Sequence, residues 1–176
     1  MKLYPTDKKE SANSWWLRTR LNYWPCVWCT GGKIEFLSSD FRELHVGLRK
    51  NVRTLNRVGT VYGGSIYSSV DPYFMLMMMW ILGEDYVVWD KAAKVKFVRP
   101  ILKKVKAKFL ITEELIEKTK KEILEKGETV FDLPLKYEDD GGTVYATFEK
   151  TIYAASRTHY EKKLAAKNLT SSFKPA

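Results

Sequence analysis

Residues 56–80 read NRVGTVYGGSIYSSVDPYFMLMMMW, a polar, glycine-rich loop that runs straight into an apolar stretch with one carboxylate, Asp71, at the junction. An ionised carboxylate removed from water without partners is costly or shifts its pKa, so Asp71 needs a structural or chemical reason to stand there. From Gly64 to Leu82 the pattern is too long for an ordinary strand and apolar nearly all round. It predicts a buried helix, of the kind that belongs inside the curvature of a sheet.

The flanking sequence supplies that sheet. GKIEFLSSDFRELHVGLRK reads as two strands, with Ile34 and Phe36, then Leu44, Val46 and Leu48, alternating with polar neighbours around a turn at Ser38–Asp40. On this pattern His45 points outward. YVVWDKAAKVKFVRP and KKVKAKFLIT give two more strands separated by the Arg99-Pro100 turn, and ETVFDLPLKYEDDGGTVYATFEKTIYAAS gives a hairpin around Asp139–Gly142. EELIEKTKKEILEKG predicts an amphipathic helix with Leu115, Ile116, Thr119, Ile123 and Leu124 on one face and Gly127 as its stop. SWWLRTRLNYW predicts a short helix, N-capped at Asn13 or Ser14, burying Trp15, Trp16 or Leu21 and ended by Pro25. Strands with helices segregated to a sheet face make an α+β domain and not a doubly wound one.

The chain of 176 residues suits one domain over residues 1–157, with residues 158–176 expected as a weakly ordered tail. The longest apolar run, Tyr73 to Leu82, falls short of the about 20 residues a membrane-spanning helix needs, and the polar start MKLYPTDKKESANS lacks a signal-peptide core. The expectation is a cytoplasmic protein without a membrane span. A net charge of +9 favours an anionic partner: nucleic acid, an acidic surface or a phosphorylated small molecule.

Several local patterns offer competing chemistry. Cys26 and Cys29 form a C-x-x-C pair, but there is no second pair to complete a zinc site, and the expectation is two partly buried small residues, no metal and no cofactor. GTVYGGS and GGTVYATF lack the spacing of phosphate-binding loops. Six tryptophans among basic strands suggest base stacking, yet no RNA-module motif is present, and core packing is the expected role, with no nucleic-acid partner. The glycine junction carries more. A helix beginning at Gly63 or Gly64 presents unpaired amide N–H groups at its positive end, suited to the oxyanion of an attacked acyl carbonyl. Asp71 lies seven residues on, roughly 10 Å along the axis. One carbonyl cannot touch both in a single helix, but a two-fold dimer with antiparallel central helices could bring one subunit's glycines to the other's Asp71. The alternative is that Asp71 simply pairs with a basic strand residue.

Asn56, Gly59, Thr60, Gly63, Gly64 and Asp71, in the frame N-x-x-G-T-x-x-G-G-x6-D, resemble the hotdog-fold acyl-CoA thioesterases of the phenylacetate-pathway type and the related DUF4442 group. The order of elements from Lys33 to Ser156 is similar too. The resemblance implies a hotdog fold, an antiparallel sheet wrapped around a long central helix. It implies a homodimer, or a tetramer as a dimer of dimers, that hydrolyses an acyl-CoA to free acid and CoA. Gly63 would then be the oxyanion donor, Asp71 the nucleophile or base, and Asn56 a holder of water or the thioester oxygen. Gly64, Tyr62 and Thr60 would line the substrate site. Arg99, Lys103 and Lys104 are candidate contacts for the CoA phosphates. Tyr62 stands where the phenylacetate type commonly has histidine, Pro72 follows the acid directly, and Met75 replaces a hydroxyl of some relatives. The fold also hosts non-catalytic acyl-CoA-binding regulators and enoyl-CoA hydratases, the latter with an Asp and His spaced like Asp40 and His45.

Overall fold

The computed structural model describes residues 4–166. Helix α1, Ala12–Tyr23, is capped by Ser11, whose hydroxyl accepts from the Ser14 amide while Ser14 reciprocates. The cap thus lies upstream of the residues expected. Pro25 ends α1 and opens α2, Pro25–Thr30, at the helix position where its missing N–H costs least. The strands are β1 Gly32–Leu37, β2 Glu43–Leu48, β3 Tyr86–Phe97, β4 Val105–Leu110, β5 Glu128–Glu138 and β6 Val144–Ser156. They form one antiparallel sheet in the order β1-β2-β4-β5-β6-β3. Against it pack α3, Gly63–Ser68, and α4, Tyr73–Leu82. Tyr73, Phe74, Met77 and Met78 of α4 are buried with Leu44, Val46, Leu48 and Phe109 of the sheet. Both Tyr73 and Phe74 meet Phe109 edge-on. This is the hotdog arrangement, with α5, Glu113–Lys126, buried through Ile116, Thr119 and Ile123.

Several expectations need correction. The central helix is two helices: the backbone leaves helical order over 69–72, where Pro72 supplies no N–H to continue it. Trp15 and Trp16 are exposed, so of the three residues expected inside only Leu21 packs against the core, beside Leu17. Cys26 and Cys29 are exposed thiols. Leu124 also faces solvent. His45 is buried: a register shift between Ile34 and Phe36 brings Phe36 opposite it, and Tyr4 covers the same face. Its Nε2 lies 2.7 Å from Glu43 Oε1, and burial lowers its pKa. Beyond the sheet, the segment expected as a weak tail begins with helix α6, Arg157–Ala166. Residues 167–176 lie outside those described.

Two features that hold the loops are testable. Gly31 ends α2 at φ +79°, and a Cβ there would come within 2.1 Å of the buried Thr54 Cγ2. Gly31→Ala therefore combines left-handed strain with a clash, and should cost about 2 kcal/mol or more in a denaturant titration. At the β5–β6 turn, Asp139 accepts from the Gly141 and Thr143 amides at 2.9 and 3.0 Å and pairs with Lys103 at 2.6 Å. Lys103 first, then the amides, hold its carboxyl well below the usual range. A depressed carboxyl stabilises the fold above its unfolded pKa and loses that contribution as pH falls through its folded value. The stability gap between wild type and Asp139→Asn should thus be constant near neutrality and shrink below about pH 4.

Candidate active site

Asn56 is the brace of the glycine loop. Its Oδ1 accepts from the Val58 and Thr60 amides at 3.1 and 3.0 Å, its Nδ2 donates to Thr60 Oγ1 at 2.8 Å, and Gly59 takes the left-handed φ of +83° that the tight return requires. The Val61 amide then donates to Ile101 at 3.0 Å, tying the loop to the β3–β4 connection. Tyr62 enters α3 in extended geometry, and the amides of Gly63 and Gly64 are first-turn donors that no helical carbonyl can accept. The Tyr62 ring lies over Gly64, where a Cβ would meet it at 2.2 Å, whereas Gly63 faces the ring of Phe97. Beside Gly63 opens a cleft of about 310 Å³ walled by Thr60, Ile66, Phe97, Arg99 and Ile101.

Of the three cations expected at one phosphate site, only Arg99 borders this cleft. Lys103 is tied to Asp139, and Lys104 pairs with Glu35 in a different cleft lined by Lys33, Arg49 and Arg53. Asp40 and His45 do not act together either. Asp40 holds its own turn through Ser38 and the Arg42 amide, and His45 bonds Glu43.

Asp71 sits in the break between α3 and α4, aimed at the sheet. Its Oδ1 accepts from Lys150 Nζ at 2.6 Å, so the pairing with a basic strand residue that the sequence left open as an alternative does form. Lys150 is 1% exposed, and its Nζ also lies 3.1 Å from Asp90 Oδ1 and 3.4 Å from the Tyr67 hydroxyl. Asp71 itself remains 42% exposed. Burial opposes the Lys150 charge, but Asp71 and Asp90 outweigh it and raise its pKa, keeping a permanent cation there. For Asp90, burial wins and raises the carboxyl despite Lys150. Burial and then Asp71 raise the Tyr67 hydroxyl, which stays protonated. The result is a carboxylate gripped from the sheet side and open on the other.

Sequence reasoning missed Lys150, Asp90 and Tyr67. A signal existed for the first: Phe148, Lys150, Ile152 and Ala154 share one parity of β6, and all are buried. A lysine on the inward parity of a strand demands a partner. Asp90 lies opposite Ile152 on β3, within diagonal reach of Lys150.

Residues 14–154 match the family described as Domain of unknown function (DUF4442). No curated protein matches the chain significantly. Among solved structures, similarity extends to a Pseudomonas aeruginosa protein of unknown function described as a probable thioesterase. The TM-score is 0.72 at 17% identity, over 84% of this chain and 99% of that one. A Chlorobaculum tepidum protein of unknown function gives 0.67 at 14% identity, over 82% and 95%. A Haemophilus influenzae thioesterase gives 0.60 at 15% identity, over 85% and 94%. At such identities the likeness shows the fold.

Proposed function

The chain belongs to the DUF4442 family, and from that premise we propose that it is an acyl-CoA thioesterase whose site forms between two subunits. Similar folds described as thioesterases support the hydrolase reading. The observation that carries the rest is the placement of Gly63 and Asp71 relative to β3. Gly63 packs on Phe97 at one end of that strand, and Asp71 joins Asp90 near the other through Lys150. β3 is a sheet edge with Lys91–Lys94 exposed, a row of free backbone groups that a second β3 can pair. Antiparallel pairing about a two-fold near Ala93 and Lys94 sets residue 90 of one strand opposite residue 97 of the other. Each Asp71 then approaches the partner subunit's glycine corner.

In that site the thioester carbonyl oxygen accepts from the Gly63 N–H, and Asp71 acts on the carbonyl carbon. As a base, Asp71 takes a proton from water as the water oxygen bonds to that carbon. The tetrahedral intermediate collapses, the C–S bond breaks, and the CoA thiolate receives the proton. As a nucleophile, Asp71 forms a mixed anhydride that water then hydrolyses. The first route delivers labelled water oxygen to the acid product and never to the protein; in the second, water attacking the aspartyl carbon of the anhydride leaves its label in Asp71 after a single turnover, a result the first cannot give. Arg99 at the cleft beside Gly63 is suited to a CoA phosphate. No metal enters either route.

A second reading, a non-catalytic acyl-CoA binder, draws on the Tyr62 ring covering Gly64. A panel of acyl-CoA thioesters assayed for free thiol and, in parallel, for binding separates the two. Thiol release from at least one member supports the hydrolase, and binding without release across the panel supports the binder.

A further inference from the structure

The surface around α1, α2 and the loop after β2 differs from another acid-free stretch, residues 91–112, where Lys94, Lys103, Lys104, Lys106 and Lys108 are all held in ion pairs. No aspartate or glutamate stands between Glu10 and Glu35, nor between Glu43 and Asp71. Those two segments carry Arg18, Arg20 and Lys33, then Arg49, Lys50, Arg53 and Arg57. Arg18 pairs with Glu10; among the described residues the others make no ion pair. Large apolar side chains stand among these cations, exposed. Trp15, Trp16, Thr19, Arg20 and Tyr23 follow one another around the outer face of α1, and Trp24 and Trp28 continue it. In the second segment Val52 is 93% exposed and Val58 81%, with Leu55 half exposed between them.

The two segments are one surface. The Arg53 guanidinium lies 4.5 Å over the Trp28 ring and donates to the Trp28 carbonyl at 2.8 Å. Trp15, Tyr23, Trp28, Lys33 and Arg53 wall a single cleft of about 380 Å³. Arg20 stacks on Trp16 at 4.4 Å.

From this we infer that the α1–α2 face and the 49–58 loop dock the protein peripherally on an anionic phospholipid surface. Three features select that occupant. Uncompensated cations meet lipid phosphates, and each is worth about fivefold in binding near an anionic bilayer. Indoles and a phenol, apolar at one end and polar at the other, suit the headgroup boundary. Val52, Leu55 and Val58 decide against nucleic acid, because aliphatic tips cannot stack on bases but do enter acyl chains. No helix among the described residues is long and apolar enough to cross a membrane; the attachment inferred is peripheral, to one leaflet. The inference does not rest on the thioesterase reading, although Arg57 and Val58 belong to the loop that Asn56 braces beside the candidate site.

The test is co-sedimentation of the full chain with vesicles of phosphatidylcholine containing phosphatidylglycerol, against phosphatidylcholine alone, with tryptophan emission recorded. The expected result is binding to the anionic vesicles only, a blue-shifted emission, and weakening with salt. Val52→Asp/Val58→Asp, at exposed positions and with the fold checked by circular dichroism, should lower partitioning roughly tenfold or more. Lys50→Gln/Arg57→Gln should lower it about 25-fold. Equal binding to both vesicle types, or partitioning unchanged in either double variant, overturns the inference. So does a dimer that Val52→Asp/Val58→Asp dissociates, which would assign the surface to a second copy. Single-stranded RNA held more tightly than anionic vesicles, regardless of the valines, would assign it to nucleic acid.

Discussion

Asp71→Asn should lower kcat for acyl-CoA hydrolysis by about 10²–10⁴-fold, the range a positioned proton acceptor supplies, while leaving substrate affinity within a few fold. The amide keeps the shape of the side chain and can still accept from Lys150 through its oxygen. It can neither take a proton from water nor form an anhydride. The split between kcat and affinity is what separates chemistry from architecture at this position. A residue that only paired with Lys150 would, when made neutral, change stability and leave turnover in proportion to folded protein. Thiol release under saturating substrate, with binding measured by calorimetry, reads the two quantities separately. A variant turning over at the wild-type rate would reduce Asp71 to a structural partner of the strand.

Lys150→Met should destabilise the fold by about 2–4 kcal/mol. Removing one partner of a fully buried ion pair costs ~3–5 kcal/mol, and the figure is lower here because Asp71 reaches solvent. The methionine fills much of the lysine stem's volume, so little of the loss is cavity. What remains is two carboxylates, Asp71 and Asp90, facing a site that has lost its cation. Asp90, already raised by burial, then loses the charge that opposed the rise. Two further results follow. The deficit narrows as pH falls toward about 4, since protonation removes the repulsion. Lys150→Met/Asp90→Asn recovers part of the loss, because the pair is coupled and the two changes are not additive. Denaturant titrations at a series of pH values measure both, and a deficit independent of pH would point to packing alone. The intact lysine acts the other way: its raised pKa means its contribution is complete at neutral pH and fades only as pH rises through that value.

How much of this was legible in the sequence varies by element, for physical reasons. Strand alternation placed Leu44, Val46 and Leu48 inside, and the β5–β6 hairpin around Asp139–Gly142, because period-two burial needs only local information. The break at 69–72 was under-read: Pro72 announced a lost hydrogen bond, yet the apolar run beyond it masked a boundary. For α1 only Leu21 was legible as an inward residue, because the helix carries Trp15 and Trp16 on its exposed face as well as Leu17 and Leu21 on its inner one, so periodicity gives no single apolar face. The burial of His45 depends on a register shift and on Tyr4 from a distant segment, neither of which alternation encodes. At the candidate site, the glycine–aspartate frame was visible, and the inward parity of Lys150 was there to be used. What no single chain's sequence contains is the geometry between two subunits.

That geometry is the central claim, and subunit complementation tests it most directly. Gly63→Pro deletes the oxyanion donor at the first helical position, where proline is tolerated, and Tyr62 already has the extended backbone that a following proline requires. Purified Gly63→Pro and Asp71→Asn proteins, each nearly inactive, are mixed, allowed to exchange subunits and assayed for thiol release. Each mixed dimer would hold one site with both groups intact, so activity should return to about a quarter of the wild-type value at statistical exchange. Activity that stays at the level of the separate variants, with exchange verified by mass, would contradict a site shared between subunits.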